Sequence, residues 1–141
     1  MTKVLQGLIF TICAIATNLT AQAQDVLRDT IRWTASGFND VRTSREVDAG
    51  CQFITYRKDK IEWIQNNGKL TYEMPIRRTS GNWNNIERDG SVDYAVELDK
   101  VAGRLTIRRV RGQLFIILIF DYWSGGPIEN RYRISKAEAL K

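Results

Sequence analysis

Histidine is absent from this chain of 141 residues, and that absence removes more chemistry than any motif adds. Imidazole is the side chain most used as a general base and as a transition-metal ligand. A His-based triad, a His-ligated zinc site and a histidine proton shuttle are therefore all excluded. Cysteine is nearly as scarce. Of the two present, Cys13 lies in an apolar run near the start and Cys51 stands alone in the remainder, so there is no intramolecular disulfide framework. No P-loop glycine pattern and no EF-hand spacing of aspartates occurs. Linkers, internal repeats and low-complexity tracts are missing too. The apolar run itself, residues 4–16, falls short of the ~20 residues that a bilayer-spanning helix needs.

That short run has a different meaning in its context. Lys3 gives a positive start, and Ala21-Gln22-Ala23 closes the segment with the small-x-small pattern after which signal peptidase cuts. Residues 1–23 are predicted to be a secretory signal peptide, leaving 24–141 as a single domain. A domain of that size buries roughly two thirds of its unfolded surface, enough for one core without metals or disulfides. Cys13 leaves with the signal; the Phe10-Thr11-Ile12 before it is unlike a lipidation motif. The N-x-S/T sequon Asn18-Leu19-Thr20 leaves as well. The expected location is bacterial, periplasmic or extracellular. Lys3 is the one charged residue removed, so the formal net charge of +5 becomes +4, mildly basic and well short of a nucleic-acid binder's excess. Cys51 is either a small, partly buried apolar residue or a reactive thiol.

Beyond the signal, apolar residues recur at period two, with Gly, Asn or Asp between the runs. Strands are predicted over 27–34, 51–57, 60–65, 69–77, 91–98, 104–110, 113–122 and 128–135. A loop carrying Gly37, Asn39 and Asp40 follows the first, and 79–90 is a loop or short irregular strand. Asn67-Gly68 is the best local signal, because both residues tolerate the positive φ of a type I′ hairpin turn. It sets Trp63 opposite Tyr72, Ile61 opposite Met74, and Glu62 opposite Glu73. A short polar helix is expected over 136–140. Strands this short, joined by tight turns, predict an all-β antiparallel meander closing into an up-and-down barrel of about eight strands, with a β-sandwich as the alternative.

The closing segments GRLTIRRVRG, QLFIILIFDYWSGG and IENRYRIS, three successive strands with glycine turns, resemble the small secreted lipocalin-like (calycin) barrels of bacteria. The resemblance spans residues 50–135 and is one of pattern. Lipocalins place a Gly-x-Trp near the start of the first strand. Here Gly81-Asn82-Trp83 falls mid-chain in a loop, and Arg32-Trp33 matches the position without the glycine. What the resemblance implies is a calyx for a small apolar molecule, usually without catalysis; no cofactor is expected.

Three groups of residues carry candidate function. The inward aromatics Trp33, Trp63, Tyr72, Tyr94 and Tyr132, with Met74, either line a ligand pocket or fill the core. Among the arginines, an anion site competes with a cross-strand ladder. A register with Leu98 opposite Gly103 sets Arg104 against Glu97 and Arg108 against Asp93. Arg109 has inward parity, opposite Val92, either snorkelling out or holding a ligand's acid group. In 114–120, even-numbered residues point inward, so Phe115, Ile117 and Ile119 project outward, a parity that Phe53 and Ile64 are expected to share. Leaving those three wet forgoes roughly 5–8 kcal/mol, so a terminal segment, a homodimer or another protein should cover them. Asp121-Tyr122-Trp123 and the pair Glu87 and Asp89 are turn or rim residues, with no nucleophile environment around them. The expected function is non-catalytic, with no metal: a small, largely apolar ligand inside the barrel, or docking through the Phe115 face with no ligand.

Overall fold

Alternation is realised as nine strands in the computed structural model, which describes residues 25–40, 45–47, 50–122 and 126–141. The predicted signal peptide and part of the turn before the last strand lie outside the described residues. The strands are β1 (Thr30–Asp40), β2 (Arg45–Val47), β3 (Gln52–Tyr56), β4 (Lys60–Gln65), β5 (Leu70–Ser80), β6 (Gly90–Leu98), β7 (Val101–Val110), β8 (Gln113–Phe120) and β9 (Ile128–Leu140). From β3 onward each pairs antiparallel with the next, β1 pairs with β3, and β9 returns to β1. The result is a closed eight-stranded up-and-down barrel, not a sandwich. The short β2 pairs only with the far end of β1.

Turn chemistry sets the registers. Asn67 (φ 53°, ψ 40°) and Gly68 (φ 89°) form the type I′ turn, closed by the Lys69 N–H donating to the Asn66 carbonyl at 3.2 Å. Trp63 then faces Tyr72, Ile61 faces Met74 and Glu62 faces Glu73, as expected. The like-charged pair is relieved by Lys60, whose Nζ lies 3.9 Å from Glu62 and 3.5 Å from Glu73.

The β6–β7 hairpin corrects an expectation. Asp99 and Lys100 both take positive φ, 49° and 65°, and make a two-residue turn with Leu98 opposite Val101. The predicted five-residue connection placed every pair two positions away. Arg104 therefore faces Ala95, Arg108 faces Ser91 and Arg109 faces Gly90. Glu97 instead pairs with Arg77 at 3.2 Å, and Asp93 accepts the Thr106 hydroxyl. No carboxylate ladder forms. Because the slip is two residues, every side chain keeps its face.

The expected C-terminal helix is also replaced. Residues 136–140 continue β9 and pair with Thr34 to Thr30 of β1. A single helical turn is marginal alone, whereas strand pairing closes the barrel and removes an edge. Two compensating irregularities, at Ser36 in β1 and Ser135 in β9, bend this seam.

The interior is filled by Ile31, Trp33, Phe53, Ile61, Met74 and Tyr94 from one half and by Leu105, Ile107, Ile116, Leu118 and Phe120 from the other, all fully buried. Even parity in β8 points inward as predicted, with Phe115, Ile117 and Ile119 half-buried outside. Phe53 reverses its expected parity: it faces Trp33 and Trp63 across the two neighbouring strands and lies inside.

Candidate functional site

One end of the barrel is plugged. The turn at Asp25–Asp29 and the loop 81–89 meet there, joined by the Val26 N–H donating to the Trp83 carbonyl at 3.2 Å. Trp83 is 3% exposed and stacks on Trp33 with ring centres 6.3 Å apart. Its indole N–H donates to the Arg88 carbonyl at 2.9 Å. Trp33 in turn donates to the buried Thr55 hydroxyl at 3.1 Å. The Arg109 guanidinium donates to the Ile86 carbonyl at 2.8 Å and to the Gly112 carbonyl at 3.0 Å, while Asp89 accepts the N–H groups of Arg111 and Gly112. Arg109 thus fastens the plug to the β7–β8 hairpin.

The opposite end carries a belt of aromatic rings. Phe38 stacks on Tyr132 at 5.4 Å, Tyr132 and Phe53 meet in a T at 4.9 Å, Phe53 stacks on Trp63 at 6.2 Å, and Trp63 leans on Tyr72 at 5.5 Å. Phe38 and Tyr72 are half-buried and form the rim; Trp63 and Tyr132 are 5% and 3% exposed. Asn130 Nδ2 donates to the Tyr132 hydroxyl at 3.3 Å. The buried Trp63 indole N–H has the Cys51 thiol and the Tyr132 hydroxyl as polar neighbours, but among the described residues no acceptor meets it in hydrogen-bond geometry. A buried donor left without an acceptor costs about 1–3 kcal/mol. Native interiors carry few such groups, and each asks for a water or a ligand atom.

Of the expected site residues, the structure brings Trp63, Tyr72 and Tyr132 together in this belt. Met74 lies deeper, opposite Ile61. Trp33 and Arg109 belong to the plugged end. Tyr94, fully buried between Thr79 and Leu105, is also apart from the belt, and its hydroxyl has no partner. Burial pushes the phenols of Tyr94 and Tyr132 upward, so both stay neutral. Phe38 was missed because the bulge at Ser36 reverses parity beyond it, turning a residue expected in a loop inward. The belt offers apolar contact and one buried donor. Among the described residues no three His, Cys, Asp or Glu side chains converge to hold a metal ion.

Comparison with known protein families, curated proteins and solved structures gave no match. The likeness to lipocalin-like proteins is therefore one of architecture, a closed eight-stranded antiparallel barrel.

Cys51 gives a pH test of this end. Burial pushes its thiol from 9.0 up to about 12, against a smaller lowering influence of Trp63. Below about pH 9 the thiol is protonated folded or unfolded, and stability is unaffected. Between about 9 and 12 only the unfolded chain ionises, so stability falls as pH rises. Urea midpoints at pH 8 and pH 10.5 should differ by less in Cys51→Ala than in the parent. Native protein should also resist iodoacetamide at pH 8 and react once denatured; rapid native alkylation would contradict the burial of this thiol.

Proposed function

We propose that this is a secreted, non-catalytic bacterial protein, lipocalin-like in role as well as architecture, that binds a small, largely apolar ligand. The ligand rests on the aromatic belt and brings one hydrogen-bond acceptor to the Trp63 indole N–H. The observation that carries this reading is that N–H, buried among four other rings at the end opposite the plug and without a hydrogen-bond partner among the described residues. An acceptor supplied there removes the desolvation penalty of the donor, while flat apolar surface gains from stacking on Tyr72 and Phe38. Polar anchors placed sparsely in an aromatic wall are what small-molecule sites require. Arg109 has no part in it, since it lies at the plugged end and donates to the Ile86 and Gly112 carbonyls there.

Native mass spectrometry of protein taken gently from its own host tests this. A defined small-molecule adduct is expected on the parent, reduced at least tenfold in Trp63→Phe, which keeps a ring and loses the N–H. Tyr72→Ala, at the half-exposed rim, should reduce it as well. A parent without adduct, or an adduct retained equally in both variants, would overturn the assignment.

A further inference from the structure

The outer wall formed by β7, β8 and β9 is left unused by ligand binding at the belt. There the register brackets the apolar stripe with arginines. Arg108 lies opposite Phe115 and Arg104 opposite Ile119 on one side; Arg133 lies opposite Phe115 and Arg131 opposite Ile117 on the other. All four are exposed. The Arg131 guanidinium sits 5.6 Å from the centre of the Phe115 ring, so its stem shades the stripe. Among the described residues, Arg104, Arg108 and Arg131 have no carboxylate in ion-pair range. The corrected β6–β7 register is the reason: the acids expected to neutralise Arg104 and Arg108 face other residues. Glu129 lies opposite Ile119 and Asp121 lines a recess beside it, while Asp93 of β6 reaches the Thr106 hydroxyl opposite Ile117.

At the Phe115 end the wall is indented. A recess of about 200 Å³ is lined by Gly37, Phe38, Asn39, Phe115, Arg131 and Arg133, opened because Gly37 brings no side chain opposite Arg133. Asn39 Oδ1, within this lining, is buried and accepts no hydrogen bond. One recess therefore combines an apolar floor, guanidinium groups and an acceptor lacking a donor. Carboxylates match the guanidiniums in geometry as well as charge. A backbone N–H matches Asn39.

We propose that this wall docks an acidic, extended polypeptide segment of a partner protein. Its carboxylates meet Arg108 and Arg131, its apolar side chains lie on Phe115 and Ile117, and a backbone N–H reaches Asn39 Oδ1. A lipid surface fits less well, because the apolar side chains lie half-buried between arginines instead of projecting beyond them, and hydrocarbon brings no donor to Asn39. The contact does not require a ligand at the belt, although Phe38 borders both.

The test uses the mature chain and a fluorescein-labelled octapeptide of alternating Glu and Leu, followed by anisotropy, with the Lys–Leu counterpart as control. The Glu–Leu peptide should bind and the control should not. Arg108→Glu combined with Arg131→Glu, both at exposed positions, should weaken binding at least tenfold, and Asn39→Leu about threefold. Raising salt from about 50 to about 300 mM should weaken it severalfold, because exposed charges are screened. Equal binding of the two peptides, or full binding by the double arginine variant, would overturn the proposal. So would sedimentation with phosphatidylglycerol vesicles in the absence of peptide binding, or a dimer abolished by Ile117→Lys, which would make the occupant a bilayer or a second copy.

Discussion

Replacing Trp33 with alanine should cost the barrel about 3–5 kcal/mol, the range for deleting a buried aromatic side chain, and should drop the urea midpoint accordingly. Three losses coincide at this residue. The ring is 0% exposed in the centre of the core. Its stacking partner is Trp83 of the plug, so the cavity left behind opens directly beneath the segment that closes that end. Its indole N–H is the partner of Thr55, the one polar residue fully buried among those described, and an orphaned hydroxyl adds about 1–3 kcal/mol. Against a total stability of about 5–15 kcal/mol, that is between about a fifth and the whole of the margin. Trp33→Phe separates the terms: it keeps most of the ring and orphans Thr55, so about 1–2 kcal/mol should be lost. A Trp33→Ala cost below about 2 kcal/mol would show that the plug does not depend on this contact.

Gly90→Ala should unseat the plug while leaving the strands paired. A β-carbon at Gly90 would stand 2.3 Å from Trp83 Cδ1 and 2.6 Å from Trp83 Nε1, closer than such atoms approach, so the indole must move. Overpacking of this kind costs about 1–3 kcal/mol. Because Trp83 lies on a loop, the displacement should appear locally, as faster amide exchange in 81–89 and red-shifted tryptophan emission. The two positions should also be coupled. Trp83→Leu should be markedly less costly in the Gly90→Ala background than alone, with a coupling of about 0.5–3 kcal/mol. Additive losses would mean that the two do not share one space.

What the sequence made legible follows from which forces are local. The β4–β5 hairpin was readable in full, since Asn67-Gly68 fixes both turn and register and the Trp63–Tyr72 row matches across it. The two faces of β6 and β8 were readable because period-two alternation there is unbroken. Three features were not. Bulges at Ser36 and Ser135 shift parity with no distinctive residue type, which hid Phe38 from the aromatic belt. The Asp99-Lys100 turn lacks glycine, so a longer connection looked reasonable and the arginines received the wrong neighbours. Residues 136–140 carry helix-forming Lys, Ala, Glu and Leu, yet the open side of β1 draws them into a strand. Trp83 looked like an ordinary loop residue, since its partner Trp33 lies fifty positions earlier and only closure of the barrel brings them together.

The seam between β1 and β9 governs the order of events in time. Thr30 is matched with Leu140, so the earliest strand waits for the last one before its second edge is satisfied. Until then β1 and the growing end of the sheet both offer bare backbone to any neighbouring chain. Hairpins β3–β4, β6–β7 and β7–β8 can form within microseconds of being available, but the seam is a contact of maximal sequence separation and sets the pace of folding. A chain delivered across a membrane from its N-terminus would spend that whole interval as an open sheet, and the opportunity for mispairing or for capture by a chaperone is concentrated there. The same adjacency makes the starting point of the chain arbitrary. Linked head to tail and opened instead at the Asp99–Lys100 turn, the strands would encounter one another in a new sequence and still close the same ring.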